Sequence, residues 1–388
     1  MPPAPPPPVR SILHRHRQLA PNASVRVSPL CLGTMNFGDA WKDRMGECSK
    51  ETTFQILDRF FDKGGNFIDT ANGYQNEESE MWLGEWMAYR ENRDQIVLAT
   101  KYSASFKGHE KDLIQSSYGG NGTKSMRLSL EASLKKLQTD YIDLFYVHWW
   151  DYATTIPELM HGLNDLVASG KVLYLGISDT PAWVVSKANQ YARDHGLRPF
   201  AVYQGMWNAA LRDMEREIVP MCRDEGMGIC VYGALGQGRF QTEAAFLERE
   251  QDRSGRKTKP PTQTERAVSK VLEEIATRKN KHVTSIALAY IMLKTPYIFP
   301  IVGGRKVEHL EGNIDALEIA LEDEEMERIE ASFEFDPGFP HTFLSGTLLT
   351  GEKPKAANKP DDVWLMTLMG SFDWVQPAKP IAPHSNHQ

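Results

Sequence analysis

The chain has 388 residues, 41% of them hydrophobic, which is enough to bury a large core as two ordinary domains or as one large α/β barrel. Its net charge of -7 argues against a nucleic-acid partner, and no apolar run approaches the roughly 20 residues needed to cross a bilayer. The four cysteines, Cys31, Cys48, Cys222 and Cys230, show neither CxxC nor Cys/His metal spacing and read as reduced thiols of a cytoplasmic protein.

The first residues, "MPPAPPPPVR", lack the charged-then-apolar plan of a secretory signal. The following stretch is basic, with no acid before Asp39, a bias shared with transit peptides, but the proline run spoils an amphipathic helix. Residues 1–23 therefore read as a disordered, polyproline-like tail. "SVRVSP" (24–29) offers a small hairpin to close a barrel floor.

From residue 25 to about 320, short β-branched runs alternate with segments of helical period, the signature of a parallel sheet. Eight strands are expected: 30–34, 66–71, 95–101, 142–149, 172–179, 200–207, 228–235 and 297–304. Between the first two, "KETTFQILDRFFDKGG" follows a cap at Ser49 and stops at Gly64-Gly65. "SMRLSLEASLKKLQ" places Met126, Leu130, Leu134 and Leu137 on one face, and "TIPELMHGLNDLVASGK" opens on proline and closes on glycine. Eight strands with intervening helices predict an α/β fold, a (β/α)8 TIM barrel over residues 24–335. A charged insertion, 237–263, follows the seventh strand, and a proline- and aromatic-rich extension, 336–388, matches no barrel unit.

Active sites of such barrels lie at the C-terminal ends of the strands. There the sequence sets Asp69 with Tyr74 just beyond it, Lys101 ending the third strand and His148 ending the fourth. A lysine cation favours the phenolate and is expected to lower the tyrosine pKa toward the working range, while Asp69 keeps a buried lysine charged. A neutral His148 would orient a carbonyl oxygen. The set donates a proton but holds no nucleophile and no metal cluster, so a hydride-carrying cofactor is the natural complement. A metal-dependent hydrolase is rejected, since only His148 and Asp69 stand at strand ends as ligands.

The motifs "NFIDTANGY", "LATK", "YVHWWD", "LGISD" and "PIVGGRKVEHLEGN" resemble the aldo-keto reductase superfamily over residues 25–335, in its aryl-alcohol dehydrogenase-like branch, near the fungal norsolorinic acid reductases. The resemblance implies NADP(H) bound without a Rossmann fold, Tyr74 as proton donor tuned by Lys101 and Asp69, and His148 orienting the substrate. It implies Ser178, Asp179 and Gln204 at the carboxamide, Tyr232 stacked on the nicotinamide, and Thr34 and Met35 alongside. Gly233, Ala234, Leu235, Gly236, Gly238 and Arg239 would border the pyrophosphate, where glycines let backbone N–H groups approach. Gly304, Arg305 and Lys306 would meet the 2′-phosphate at a helix N-terminus, with His309 and Asn313 near the adenine. Relatives carry Gln and Glu where this chain has His309 and Gly312.

Trp41, Trp149, Trp150, Tyr152 and Trp207 are candidates for an aromatic mouth suited to a flat aromatic aldehyde, ketone or alcohol, of the polyketide type by resemblance, with Trp41 and Trp149 as substrate contacts. The rival from another class is a cofactor-loaded regulatory subunit, similar to the potassium-channel β subunits, docking through the aromatic C-terminal extension.

Overall fold

The structure is a computed structural model that describes residues 8–246 and 259–384. An antiparallel hairpin, β1 (Arg17–Ala20) and β2 (Ala23–Val27), precedes eight parallel strands. These are β3 (Cys31–Gly33), β4 (Phe67–Asp69), β5 (Val97–Tyr102), β6 (Ile142–Val147), β7 (Val172–Ser178), β8 (Phe200–Met206), β9 (Gly228–Tyr232) and β10 (Ile298–Val302). They pair in chain order, and β10 returns to pair with β3, closing the barrel. Seven lie within the runs expected for them, and β5 runs one residue past its expected end at Lys101. The strands read as unbroken apolar runs because both faces are covered, the inner by the barrel core and the outer by helices; every residue of β5 and β6 is buried.

Two layers of core follow from that geometry. Inside the barrel, Cys31, Phe67, Ala99, Leu144, Tyr146, Val202, Cys230 and Phe299 pack together. Outside, the helices Lys50–Asp62, Glu78–Arg90, Thr123–Leu137, Ile156–Ala168, Ala182–Asp194 and Val283–Met292 bury their apolar stripes on the strands. Local signals start the helices where expected: Ser49 accepts from Thr52 N, and Thr155 from Glu158 N.

The hairpin plugs the N-terminal end of the barrel. Leu19, Ala20, Ala23 and Val27 join the inner core, and Asn22 bonds the backbone of Gly226 and Glu225. Gly228 is required there, because a Cβ would stand 2.3 Å from the carbonyl oxygen of Leu19. Order thus begins well before residue 24, correcting the expected disordered tail: Leu13 and Leu19 are fully buried, and their burial holds a segment that has no helical or strand period of its own. Residues 1–7, with most of the polyproline run, lie outside the described residues, as does part of the expected insertion, 247–258.

The C-terminal extension forms two short helices, His341–Leu344 and Thr347–Thr350, and then runs on with little regular structure. Arg216 donates to Asp336 O, and Asn358 to Glu215 O, tying it to the barrel. Among the described residues no helix is long and apolar enough to cross a membrane.

Candidate active site

At the C-terminal end of the barrel a groove of about 540 Å³ runs from Tyr74 and His148 to Gly303, Gly304, Arg305 and His309. Asp69 closes β4, Lys101 lies in β5, His148 directly follows β6, Gln204 lies in β8 and Tyr232 closes β9, so the barrel's own register brings them to one rim.

Lys101 is the hub. Its side chain has no solvent exposure, and its Nζ donates to Asp69 Oδ1 at 2.5 Å, to Thr70 O at 2.7 Å and to the Tyr74 hydroxyl at 3.4 Å. Asp69 Oδ2 also accepts from Gln204 Nε2 at 2.9 Å. Burial works against the lysine cation, but Asp69 and Tyr74 outweigh it and raise the pKa above its ordinary value. The ammonium is therefore fixed, with all three donors committed.

Tyr74 departs from the expectation. Burial of the phenol raises its pKa more than the Lys101 cation lowers it, so the net shift is upward. The spacing of Asp69, Tyr74 and Lys101 shows who the neighbours are, but not how dry the phenol is. The hydroxyl thus keeps its proton at neutral pH, and the lysine moderates a desolvation cost instead of producing a phenolate.

The ring of His148 packs edge-on to Tyr74, with centroids 6.0 Å apart. Burial, with Lys101 adding to it, pushes the imidazole down to about 3, so the ring is neutral. Its Nδ1 is buried with no protein partner. Trp41 also packs edge-on to Tyr74, with centroids 6.4 Å apart, its indole N–H donating to Asn76, but it is not part of the groove lining.

The groove meets the requirements of a dinucleotide on its own chemistry. Thr34 Oγ1, Asn36 Oδ1 and Ser178 Oγ line it as buried polar atoms without a protein partner, an arrangement that costs free energy unless a ligand satisfies it. Gly233, Gly236 and Gly238 take left-handed backbone angles that shape the loop after β9. Beyond Arg305, the helix Val307–Asp315 starts with no side-chain cap, leaving first-turn N–H groups for an anion. Thr34, Met35, Asp69, Ser178, Asp179, Gln204, Tyr232, Gly233, Ala234, Leu235, Gly238, Gly304, Arg305 and His309 all line this groove.

Other expected residues fall elsewhere. Gly236 is buried under the Phe240 ring, Arg239 pairs with Glu265 at 2.7 Å, Lys306 precedes the helix, and Asn313 is buried within it; none lines the groove. Trp149 is exposed outside the groove lining. Trp207 is wholly buried, its indole N–H donating to Glu215 at 3.0 Å, so it is core and not mouth. Trp150 likewise packs on the core. Conversely, Gly33, Asn36, Gln237, Ile301 and Gly303 line the groove without having been singled out. Asn36 and Gln237 were findable, since each lies within two residues of a candidate that was.

A model of the Aldo/keto reductase family matches residues 29–334. The chain is 66% identical over 368 residues to the norsolorinic acid reductase B of Dothistroma septosporum, covering 95% of this chain and 94% of that one. It is 54% identical over 388 residues to an aryl-alcohol dehydrogenase of Pestalotiopsis microspora, covering 99% and 96%. It is 52% identical over 350 residues to a protein of Phanerodontia chrysosporium named aryl-alcohol dehydrogenase, NADP(+), covering 87% and 90%. The chain belongs to the Aldo/keto reductase family and is an oxidoreductase.

Proposed function

We propose that this oxidoreductase uses NADP(H) to reduce an aromatic aldehyde or ketone to the alcohol, and to oxidise the aryl alcohol in reverse, within the cytoplasm. The carrying observation is the chain Asp69–Lys101–Tyr74, which ends in a protonated phenol at the mouth of a groove lined with unsatisfied polar groups. The relatives' names support an aromatic substrate, including one of the norsolorinic acid type. Four buried cysteines, none in a disulfide, accord with a reducing compartment.

In this reading Tyr74 gives its proton to the carbonyl oxygen, and Lys101, donating to the same phenolic oxygen, stabilises the phenolate that forms. Asp69 holds the lysine charged and in place, and Gln204 fixes the second carboxylate oxygen. His148, neutral, orients the carbonyl without competing for the proton. Bound NADPH supplies the hydride. Ser178, Asp179 and Gln204 would hold its carboxamide and Tyr232 its ring. The Gly233–Gly238 loop would hold the pyrophosphate, Arg305 with Lys306 the 2′-phosphate, and His309 the adenine end. Trp41, beside Tyr74, would form one wall for a flat substrate.

The test is NADPH consumption with a panel of aromatic aldehydes and ketones, for wild type and Tyr74→Phe, alongside NADPH binding. A fall in turnover of at least about 10²-fold with binding retained is the expected result. Tight NADPH binding with negligible turnover in both proteins would overturn the enzymatic reading in favour of a cofactor-loaded regulatory subunit.

A further inference from the structure

We propose that Asp179 makes the ring-binding end of the groove favour the oxidised, positively charged nicotinamide over the reduced, neutral one. The inference rests on the NADP(H) reading above and adds a preference between the two forms to it.

Asp179 directly follows β7, and its backbone N–H donates to Gln204 O at 3.1 Å. Its φ is +43°, in the left-handed region that a side chain adopts at a cost, and the residue lines the groove. The Tyr232 hydroxyl donates to both carboxylate oxygens, at 3.1 and 3.2 Å, which holds the group still and favours its ionised form. Asp179 keeps an exposed surface, so its charge is partly screened by solvent; its partial burial still pushes this carboxyl up, with Tyr232 and Lys101 pulling the other way.

No lysine or arginine among the described residues forms an ion pair with Asp179. The one cation that acts on it, Lys101, is already committed to Asp69, Thr70 and Tyr74. Asp69 and Lys101 cancel, so Asp179 leaves this end of the groove with one uncompensated negative charge. The charge reaches the reacting centre, for Asp179 acts on the Tyr74 phenol and raises its pKa.

On the proposed reading the ring would lie within that field. Hydride must reach the carbon whose oxygen takes the Tyr74 proton, so the ring would have to stand beside Tyr74. The balance is carbonyl + NADPH + H⁺ giving alcohol + NADP⁺: the carbonyl carbon gains the hydride, its oxygen gains the proton, and the ring is left with one more positive charge. The carboxamide is the same group in both forms. Whatever hydrogen bonds Asp179 makes to it therefore cancel in the ratio of the two affinities, and the charge of Asp179 remains.

The experiment compares dissociation constants for NADP⁺ and NADPH, by protein and cofactor fluorescence at pH 8, in wild type and Asp179→Asn. The asparagine keeps the shape and removes the charge. The expected result is a rise of about tenfold in the ratio Kd(NADP⁺)/Kd(NADPH), shrinking in the wild type's favour as salt is added. Equal shifts of both constants, or a fall in the ratio, overturn the proposal. If the asparagine variant binds neither form, the ratio is read on Asp179→Ser. Loss of both forms in both variants would make Asp179 a builder of the groove, not a sensor of charge, and also overturns it. Wild type binding neither form would refute the NADP(H) reading instead.

Discussion

Lys101→Met removes a cation with no solvent exposure from a partner, Asp69, that is 3% exposed. At the 2.5 Å separation of the pair, an effective dielectric of about 20 gives an attraction of about 6–7 kcal/mol, much of it offset by desolvation of both charges. Deleting only the lysine leaves the carboxylate with Gln204 Nε2 as its side-chain donor among the described residues, and costs about 3–5 kcal/mol. In a chain of 388 residues that is a fall in Tm of roughly 4–6 °C. The pH dependence has a definite sign. In wild type the lysine pKa is raised, so its contribution is complete below the unfolded value of about 10.4 and is lost only as pH rises through the folded value. In the variant the Asp69 carboxylate is left buried without its cation, and thermal unfolding at pH 8 should show the full deficit. Adding Asp69→Asn should restore much of the stability but none of the turnover, since the phenol still lacks its cation. A variant as stable as wild type at pH 8, or a double variant with recovered turnover, would refute the account.

His148, neutral because burial pushes it down to about 3, should contribute no ionisation to kcat/KM between pH 5 and 8; an acid limb near 6–7 that disappears in His148→Gln would contradict this. Gly46 has a φ of +80°, and a Cβ there would overlap the Arg305 guanidinium. Gly46→Ala should displace that side chain and weaken NADPH by about tenfold, with NADH little affected, because on the proposed reading Arg305 would make a charge-assisted hydrogen bond to the 2′-phosphate. Fluorescence titration with both cofactors checks it, and equal weakening of the two would assign Gly46 to the fold alone.

What was legible in the sequence follows from what a single strand or turn determines by itself. Each barrel strand is buried on both faces and so stands out as an apolar run, and each run ends at the rim where the polar residues are read. Asp69, Lys101 and His148 could be placed because strand ends in a closed barrel are neighbours by construction. Properties that depend on a distant partner were not legible. Trp207 looks like mouth from its place after β8, yet Glu215 and the surrounding core draw it inward. Arg17–Ala20 carries no turn signal or period that separates it from a tail, and becomes a strand only because the barrel floor presents Gly226 and Gly228 to it. The direction of the Tyr74 shift likewise depends on burial by segments far apart in the chain. Lys306 only precedes the helix Val307–Asp315 and Asn313 lies buried in its last turn, so neither lines the groove.

The turn that carries Tyr74 shows which residue positions the phenol. Gln75, Asn76 and Glu77, none of them glycine, have φ of 52°, 52° and 82°, and a left-handed run costs about 1–2 kcal/mol per residue. Specific bonds offset this. Gln75, fully buried, accepts from Trp41 N at 2.7 Å and donates to Met35 O at 2.9 Å. Glu77 takes Lys107 at 2.8 Å and Lys136 at 3.0 Å, and Glu78 accepts from Asp39 N and Ala40 N at 2.6 and 3.0 Å. Gly38 leaves room, for a Cβ there would strike the Gln75 side chain. The Gln75 and Glu78 bonds latch the turn to the Met35–Trp41 loop, so the phenol and that wall of the groove are built together, whatever occupies the site. By comparison, the 3.4 Å contact from Lys101 to the Tyr74 hydroxyl is too long to hold the ring. The division of labour follows: the strained turn and its buried glutamine set where the phenol points, and Lys101 sets how readily it parts with its proton.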